Sequence, residues 1–304
     1  MVASRELDAI RRRDDSSYFF VFYSTMPAKI IPVKDLEADY LQPFRTLRRP
    51  QEHLTRGIFI AEGEKVVRRL LDSPLTILSI LVTPEWMKEL EPTLSLSHPS
   101  LEIYLADKEL LESIVGYNLH QGIMALANVP ANRSLDELLP GLTPPVLLVA
   151  LEGLVNAENV GVIVRNCAAL GVDAVISGET SSSPYLRRAV RNSMGAIFHM
   201  PVIHSANLAL TLNELRERHK FSVVAAHPAG TVSIFDCDLR GNTCIVMGNE
   251  GNGVSEAILK SGALTVSIPM ENDVDSLNVA NASAVFLYEA RRQRDSEGGN
   301  RSRH

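Results

Sequence analysis

The stretch "VLLVALEGLVNAENVGVIVRNCAALGVDAVIS", from Val146 to Ser177, sets the fold class. It opens on the continuous apolar run Val146–Leu151, the kind a strand covered on both faces of a sheet needs. A helix is predicted to follow from Asn159, a good N-cap residue. At helical spacing, Val160, Ile163, Val164, Cys167 and Gly171 form its apolar side. Arg165 lies off that side, next to Gly161 and Ala169. "DAVIS" (Asp173–Ser177) reads as the next strand. Strand, helix and strand in this order predict parallel neighbours joined by a crossover helix.

The alternation continues toward the C-terminus. Helix "PYLRRAVRNSMG", strand "FHMPVI", helix "LALTLNELRERH" and strand "FSVVAA" carry it to Ala226. Strand "CIVMG", a short helix from Ser255, strand "ALTVSI" and the helix "NVANASAVFLYEARR" complete it. Toward the N-terminus, "GIFIAEG", "LTILSILVT", "LEIYLA" and "QGIMALANV" read as strands. "EKVVRRLLDS" and "DKELLESIVG" read as helices, the second opened by Asp107. These patterns predict an α/β chain in five parts. They are an N-terminal extension over 1–42, a smaller α/β domain over 43–129, a proline-rich linker over 130–145, a larger α/β domain with a mainly parallel sheet over 146–293, and a disordered charged tail over 294–304.

Bulk composition excludes several classes. The 304 residues are 45% hydrophobic and 22% charged, which is a globular balance with ample core. Net charge is -6, and neither half of the chain is basic, so any nucleic acid must be met by local patches. Three cysteines, Cys167, Cys237 and Cys244, form no CxxC pair and suit a reducing compartment. "YFFVFY" follows three arginines but lacks the length and cleavage pattern of a secretion signal. No apolar run approaches membrane-spanning length. The expectation is a cytoplasmic protein with no membrane and no metal.

"IVMGNEGNGVS", from Ile245 to Ser255, is a strand opening onto a glycine-rich loop. It has neither the lysine nor the hydroxyl of a P-loop, and its glycines run GxxGxG late in the domain, not GxGxxG after the first strand. Glu250 would repel a pyrophosphate, so the ligand here is neutral or cationic. The alternative is a plain tight turn whose glycines supply positive φ. A third segment, "SIPMENDVDSLNVANASA" (Ser267–Ala284), ends a strand at Ile268 and Pro269 and makes an acidic turn through Asp273 and Asp275. Ser276 or Asn278 caps the last helix, and Ala280, Ala282, Ser283 and Ala284 allow close backbone packing. Ser276 has no histidine nearby and no GxSxG elbow, so a hydrolase is disfavoured. No metal-ligand spacing surrounds the two aspartates.

Taken in order, "NAENVGVIVRNCAALG", "IVMGNEGNG" and "IPMENDVDSLNVANASA" closely resemble the three motifs of the SpoU family of RNA ribose 2′-O-methyltransferases, within the SPOUT superfamily. "RNSMGAIFHMPV" between them also resembles it, and the likeness covers most of Leu147–Ala290. "GIFIAEGEKVV" and "LHQGIMALAN" look like the RNA-binding domain many members carry. The resemblance implies a methyltransferase domain with a C-terminal trefoil knot, a homodimer, and S-adenosyl-L-methionine as cofactor. By resemblance the backbone at Gly248, Ile268 and Leu277 contacts that cofactor, whose sulfonium is a cation and whose adenine carries no phosphate.

The catalytic set implied by the resemblance falls on Asn159, Arg165, Glu250, Ser276 and Asn278. Arg165 is the implied activator of the ribose hydroxyl. A guanidinium with a pKa above ~12 is a poor base. Its expected role is to clamp an adjacent phosphate and lower the hydroxyl's pKa. Asn159, Ser276 and Asn278 would hold Arg165, the ribose and the loops, and Glu250 would orient them. Among the basic clusters, Arg187, Arg188 and Arg191 stand near the expected site, and Arg45, Arg48, Arg49 and Arg56 at the entrance to the first domain. Of these, Arg191 is the one assigned to RNA; His120 is left between RNA contact and a buried strand edge. The substrate would be structured RNA, rRNA in preference to tRNA. The competing readings are a non-catalytic RNA-binding module that kept the fold, and a methyltransferase for a base or a protein.

Overall fold

The computed structural model describes residues 29–116, 121–272 and 274–297. "YFFVFY", His120, Asp273 and the tail beyond Glu297 lie outside the described residues.

The described residues begin with β1 (Lys29–Pro32), within the stretch read as an extension, then the short helices α1 (Gln42–Arg45) and α2 (Pro50–Thr55). Next come β2 (Ile58–Glu62), α3 (Glu64–Leu71), β3 (Ile77–Val82), α4 (Pro84–Ser97), β4 (Glu102–Leu105), α5 (Lys108–Val115) and β5 (Ile123–Asn128). The proline-rich stretch holds α6 (Leu135–Leu138), opened by a capping box between Ser134 and Glu137. Then follow β6 (Leu147–Leu151), α7 (Ala157–Leu170), β7 (Ala174–Ser177), α8 (Arg187–Asn192), β8 (Val202–His204), α9 (Leu208–Glu217) and β9 (Ser222–Ala226). The last elements are β10 (Val232–Ser233), β11 (Thr243–Met247), α10 (Glu256–Lys260), β12 (Leu264–Ser267) and α11 (Val279–Glu297).

Two sheets result, one of five strands in the order β1-β4-β3-β5-β2 and one of seven in the order β10-β12-β9-β11-β6-β7-β8. By compactness the described residues divide into those of 29–45 with 77–126, and those of 46–76 with 127–297. In the first unit β4 lies between β1 and β3, parallel to both, with Ile103 opposite Ile30 and Ile80. Asp107 caps α5 by accepting from the Leu110 N–H at 2.8 Å, as its position predicts.

In the second unit β6 sits between β11 and β7, parallel to both, with Val149 opposite Ile245 and Val175. Every residue of β6, β7 and β11 is buried, which is why those segments read as continuous apolar runs. One face packs Leu148, Ala150, Ile176 and Val246 with Leu212 and Leu215 of α9. From β6 the chain steps outward through β7 and β8, then returns to β9 beyond β11. A crevice for a ligand is expected where the order reverses, at the carboxyl ends of the strands. The loops leaving β6, β9, β11 and β12 converge there.

Three local readings need correction. Asn156, not Asn159, caps α7, its side chain accepting from the Glu158 N–H at 2.8 Å. Gly171 is not on the apolar side; it is the left-handed residue, φ 83°, that ends the helix. "FHMPVI" is a strand only from Val202, because Ala196–His199 form a 3-10 turn after Met194 and Gly195 take positive φ.

Leu148→Ala should destabilise the protein by about 2–5 kcal/mol, since it removes buried methyls where the close-packed sheet cannot collapse. Urea unfolding followed by circular dichroism checks this, with a lower midpoint at an unchanged slope.

Candidate active site

The glycine loop is organised by Asn249, which the motif reading passed over. Its side-chain oxygen accepts from Gly251 N at 2.8 Å and Asn252 N at 3.0 Å, and its amide donates to Gly153 O at 2.7 Å. Backbone bonds of 2.9 Å in both directions between Asn249 and Gly253 close the loop. An asparagine between a strand and a glycine is a turn former by its own side chain, and that signal was available in the sequence. Gly253 has φ 67°, so the plain-turn reading accounts for part of the glycine content. Gly248 is different, because a Cβ there would lie 2.5 Å from Gly253 C and Val254 N. Glycine at 248 is required by close backbone approach.

Three distant segments meet at this loop. Asn159, on the first turn of α7, donates its amide to Glu250 Oε1 at 2.7 Å. Asn278 donates to Asn159 Oδ1 at 3.3 Å and caps α11 by accepting from Ala280 N at 2.9 Å. Asn159 therefore stands between Glu250 and Asn278, a role open to it because Asn156 does the capping. Glu152 fastens the far side of the loop by accepting from Ser255 N at 2.8 Å. Two helical turns beyond Asn159, Asn166 donates to Ala280 O at 2.9 Å and Ser283 Oγ at 3.0 Å, and Ser283 is 0% exposed. At Ala280 and Ser283 small residues of α11 let α7 approach closely.

A cavity of about 510 Å³ opens beneath the loop, within the range of small-molecule sites. Its lining joins Gly248, Glu250, Ile268, Ser276, Leu277 and Asn278, all singled out in the sequence. Ala226, Met247, Val266, Val279 and Phe286 supply apolar wall. No lysine or arginine is among the described residues that line it, while Glu250 and Asp275 are. That donor set fits a neutral or cationic ligand with an aromatic base and does not fit a polyphosphate. Ser276 is exposed and makes no hydrogen bond among the described residues.

Arg165 is not drawn into this set. It is exposed, lines no part of the cavity, and makes no hydrogen bond or ion pair among the described residues. It lies one turn beyond Gly161, where a Cβ would meet Ala189 O at 2.3 Å, so this face of α7 runs against α8. On α8, Arg187 is bound to Glu62 at 2.5 Å and is structural. Arg191 is 58% exposed, only 3.9 Å from the same carboxylate, and Arg188 is exposed. Arg45 is held by Glu37 at 2.6 Å and Arg49 by Glu52 at 3.1 Å. Cys167 is fully buried, and burial pushes its thiol well above the ordinary range; the Cys244 thiol is pushed up to about 12. Neither is a nucleophile. Away from the cavity, Asp136, Glu214 and His219 bring ligand atoms within 4.8 Å of one another, with the Arg218 guanidinium already on both carboxylates.

Residues 146–288 match the family model described as the SpoU rRNA methylase family. The chain is 33% identical over 272 residues to an uncharacterized tRNA/rRNA methyltransferase of Mycobacterium tuberculosis, covering 86% of this chain and 91% of that protein. The chain belongs to the SpoU family. Another relative, 38% identical over 190 residues, is the 23S rRNA (guanosine-2'-O-)-methyltransferase RlmB of Ralstonia nicotianae; the match covers 62% of this chain and 76% of RlmB. Among solved structures, the SpoU methyltransferase AviRb of Streptomyces viridochromogenes superposes with a TM-score of 0.75 at 26% identity, over 86% of this chain and 99% of AviRb. Its complex with the cofactor AdoMet superposes with a TM-score of 0.74 at 25% identity, over 85% of this chain and 100% of AviRb. The α/β fold with its parallel sheet is thus a SpoU fold.

Gly248→Ala should force the loop off Gly253 and Val254 and destabilise it by about 1–3 kcal/mol, the usual cost of overpacking. Limited proteolysis checks this, with faster cleavage between residues 248 and 255 than in the wild type.

Proposed function

We propose that this SpoU-family chain is an S-adenosylmethionine-dependent RNA methyltransferase that modifies a ribose 2′-hydroxyl, with rRNA as its substrate class. The observation that carries the reading is the hydrogen-bonded junction of Asn159, Glu250 and Asn278 at the rim of a cavity lined by Gly248, Ile268 and Leu277. The RlmB relatives, named for 2′-O-methylation of guanosine in 23S rRNA, support the reaction and the RNA class. The AdoMet complex of AviRb supports the cofactor.

When bound, the cofactor supplies an electrophilic methyl group on a sulfonium. The chain's own residues hold and orient. Backbone groups at Gly248, Ile268 and Leu277 would hold the cofactor, with glycine at 248 allowing close approach. Glu250, fixed by Asn159, keeps its carboxylate on the cavity rim, where negative charge is tolerated beside a cation. Ser276, with a free hydroxyl among the described residues, and Asn278 would position the ribose. Arg165 has no partner within the described chain, which leaves its guanidinium available to a substrate phosphate. There it would lower the pKa of the adjacent hydroxyl. Arg191 would meet the RNA backbone nearby, and residues 43–129 would recognise the RNA's structure.

We infer a homodimer with the site near the subunit interface. Val285 and Tyr288, on one face of α11, are 38% and 64% exposed, and Val155, beside the loop after β6, is 69% exposed. We also infer the family's trefoil knot, in which the segment after β12 is threaded before α11 packs on α7. The small residues at that packing support it. A cytoplasmic location fits three unpaired buried thiols and the fact that no described helix is long and apolar enough to cross a membrane.

The test is methyl transfer from labelled S-adenosylmethionine to total bacterial RNA, with digestion to nucleosides and mass spectrometry. A labelled 2′-O-methyl nucleoside is expected; a labelled base overturns the ribose assignment. Arg165→Ala should lower the rate by at least about 10²-fold, while cofactor affinity by calorimetry stays within about twofold of wild type. Loss of both would make Arg165 structural. Tyr288→Glu should shift sedimentation from dimer toward monomer, since it buries an unpaired charge at the inferred interface.

A further inference from the structure

The cavity has one imidazole among its described lining residues, His227, which belongs to none of the three motif segments. It follows β9 directly, and its backbone is fixed: His227 N donates to Val266 O at 3.0 Å, and His227 O accepts from Gly230 N at 3.0 Å. The ring is fixed as well. Ala229 N–H donates to Nδ1 at 3.1 Å, a small turn closed by a side chain. With Nδ1 accepting, the proton of a neutral imidazole sits on Nε2. Nε2 has no hydrogen-bond partner among the described residues. A Cβ at Gly253 would lie 3.9 Å from Cδ2, so the Cδ2 side of the ring faces the glycine loop. The result is an uncharged N–H donor, held in orientation, beside apolar wall from Ala226, Met247 and Val266. Apolar wall suits the face of a base, and a neutral donor suits an uncharged acceptor such as a ring nitrogen or a ribose hydroxyl.

We propose that His227 is a cofactor-binding residue whose Nε2–H donates to an acceptor atom in the adenosine half of S-adenosylmethionine. The inference rests on the methyltransferase reading above and adds a side-chain contact to the backbone contacts already assigned.

Substitution can separate the two jobs of the ring. Asparagine keeps a side-chain acceptor for the Ala229 N–H but loses the donor at the Nε2 position. Glutamine offers an amide N–H at about the reach of Nε2. The experiment is calorimetry on the full chain with two ligands, S-adenosylmethionine and 5′-methylthioadenosine, which lacks the amino-acid half. His227→Asn is expected to melt with the wild type and to bind both ligands about three- to tenfold more weakly, the worth of one neutral hydrogen bond. His227→Gln is expected to recover part of that loss. Wild-type affinity of His227→Asn for both ligands would reduce His227 to a turn former and overturn the proposal. Weakening confined to S-adenosylmethionine would overturn the adenosine assignment. Should His227→Asn melt early, His227→Gln at Ala-variant affinity, with His227→Ala as reference, would also overturn it. A wild type that binds neither ligand would instead overturn the methyltransferase reading, a failure visible before any variant is compared.

Discussion

At Gly248 the backbone leaving β11 passes so close to Gly253 and Val254 that no Cβ fits between them. The rest of the site depends on that approach. It allows the two Asn249–Gly253 backbone bonds, which turn the Asn249 side chain back onto the loop and out to Gly153. It also places Glu250 at the rim, where Asn159 reaches it, and Asn159 in turn receives Asn278. A chain of short polar contacts thus ties the ends of β6, β11 and β12 to one another. Contacts of this kind are worth little singly, but together they hold loops that no apolar core could fix.

Charge divides the labour. The described lining of the cavity carries carboxylates and no lysine or arginine, whereas the exposed guanidiniums of Arg165 and Arg191 stand on α7 and α8 outside it. A cationic cofactor and a polyanionic substrate call for opposite surroundings, and helices on the sheet faces keep those surroundings apart. The same logic explains why a protein with net charge -6 can belong to an RNA-modifying family: local placement matters more than the global field.

Much of this was legible in residues. Strands β6, β7 and β11 are buried on both faces, so periodicity and burial say the same thing, and the parallel sheet follows from the alternation with helices. Local chemistry also read correctly at Asp107, which caps its helix, and the short helix expected from Ser255 begins at Glu256. The errors came where two local candidates competed. Asn156 and Asn159 are both fit to cap α7; Asn156 takes the cap, and Asn159 instead meets Glu250 and Asn278 from across the fold. Met194 and Gly195 break the strand read at "FHMPVI" by positive φ, which no apolar count reveals. Arg187 stood open beside Arg188 and Arg191 in one basic cluster until Glu62 claimed it.

The sequence by itself determined the class of fold, the family and the residue types at the site, because burial periodicity and long ordered motifs are local properties of the chain. Only the tertiary structure decided which of those residues touch. It joined Asn159 to Glu250 across 91 positions and to Asn278 across 119, and it recruited Asn249, Glu152 and His227, which no motif had marked for a role. It also left Arg165 outside the cavity. The physical reason is that a hydrogen bond needs donor and acceptor within about 3 Å, a distance set by how strands stack and loops close and not by spacing along the chain.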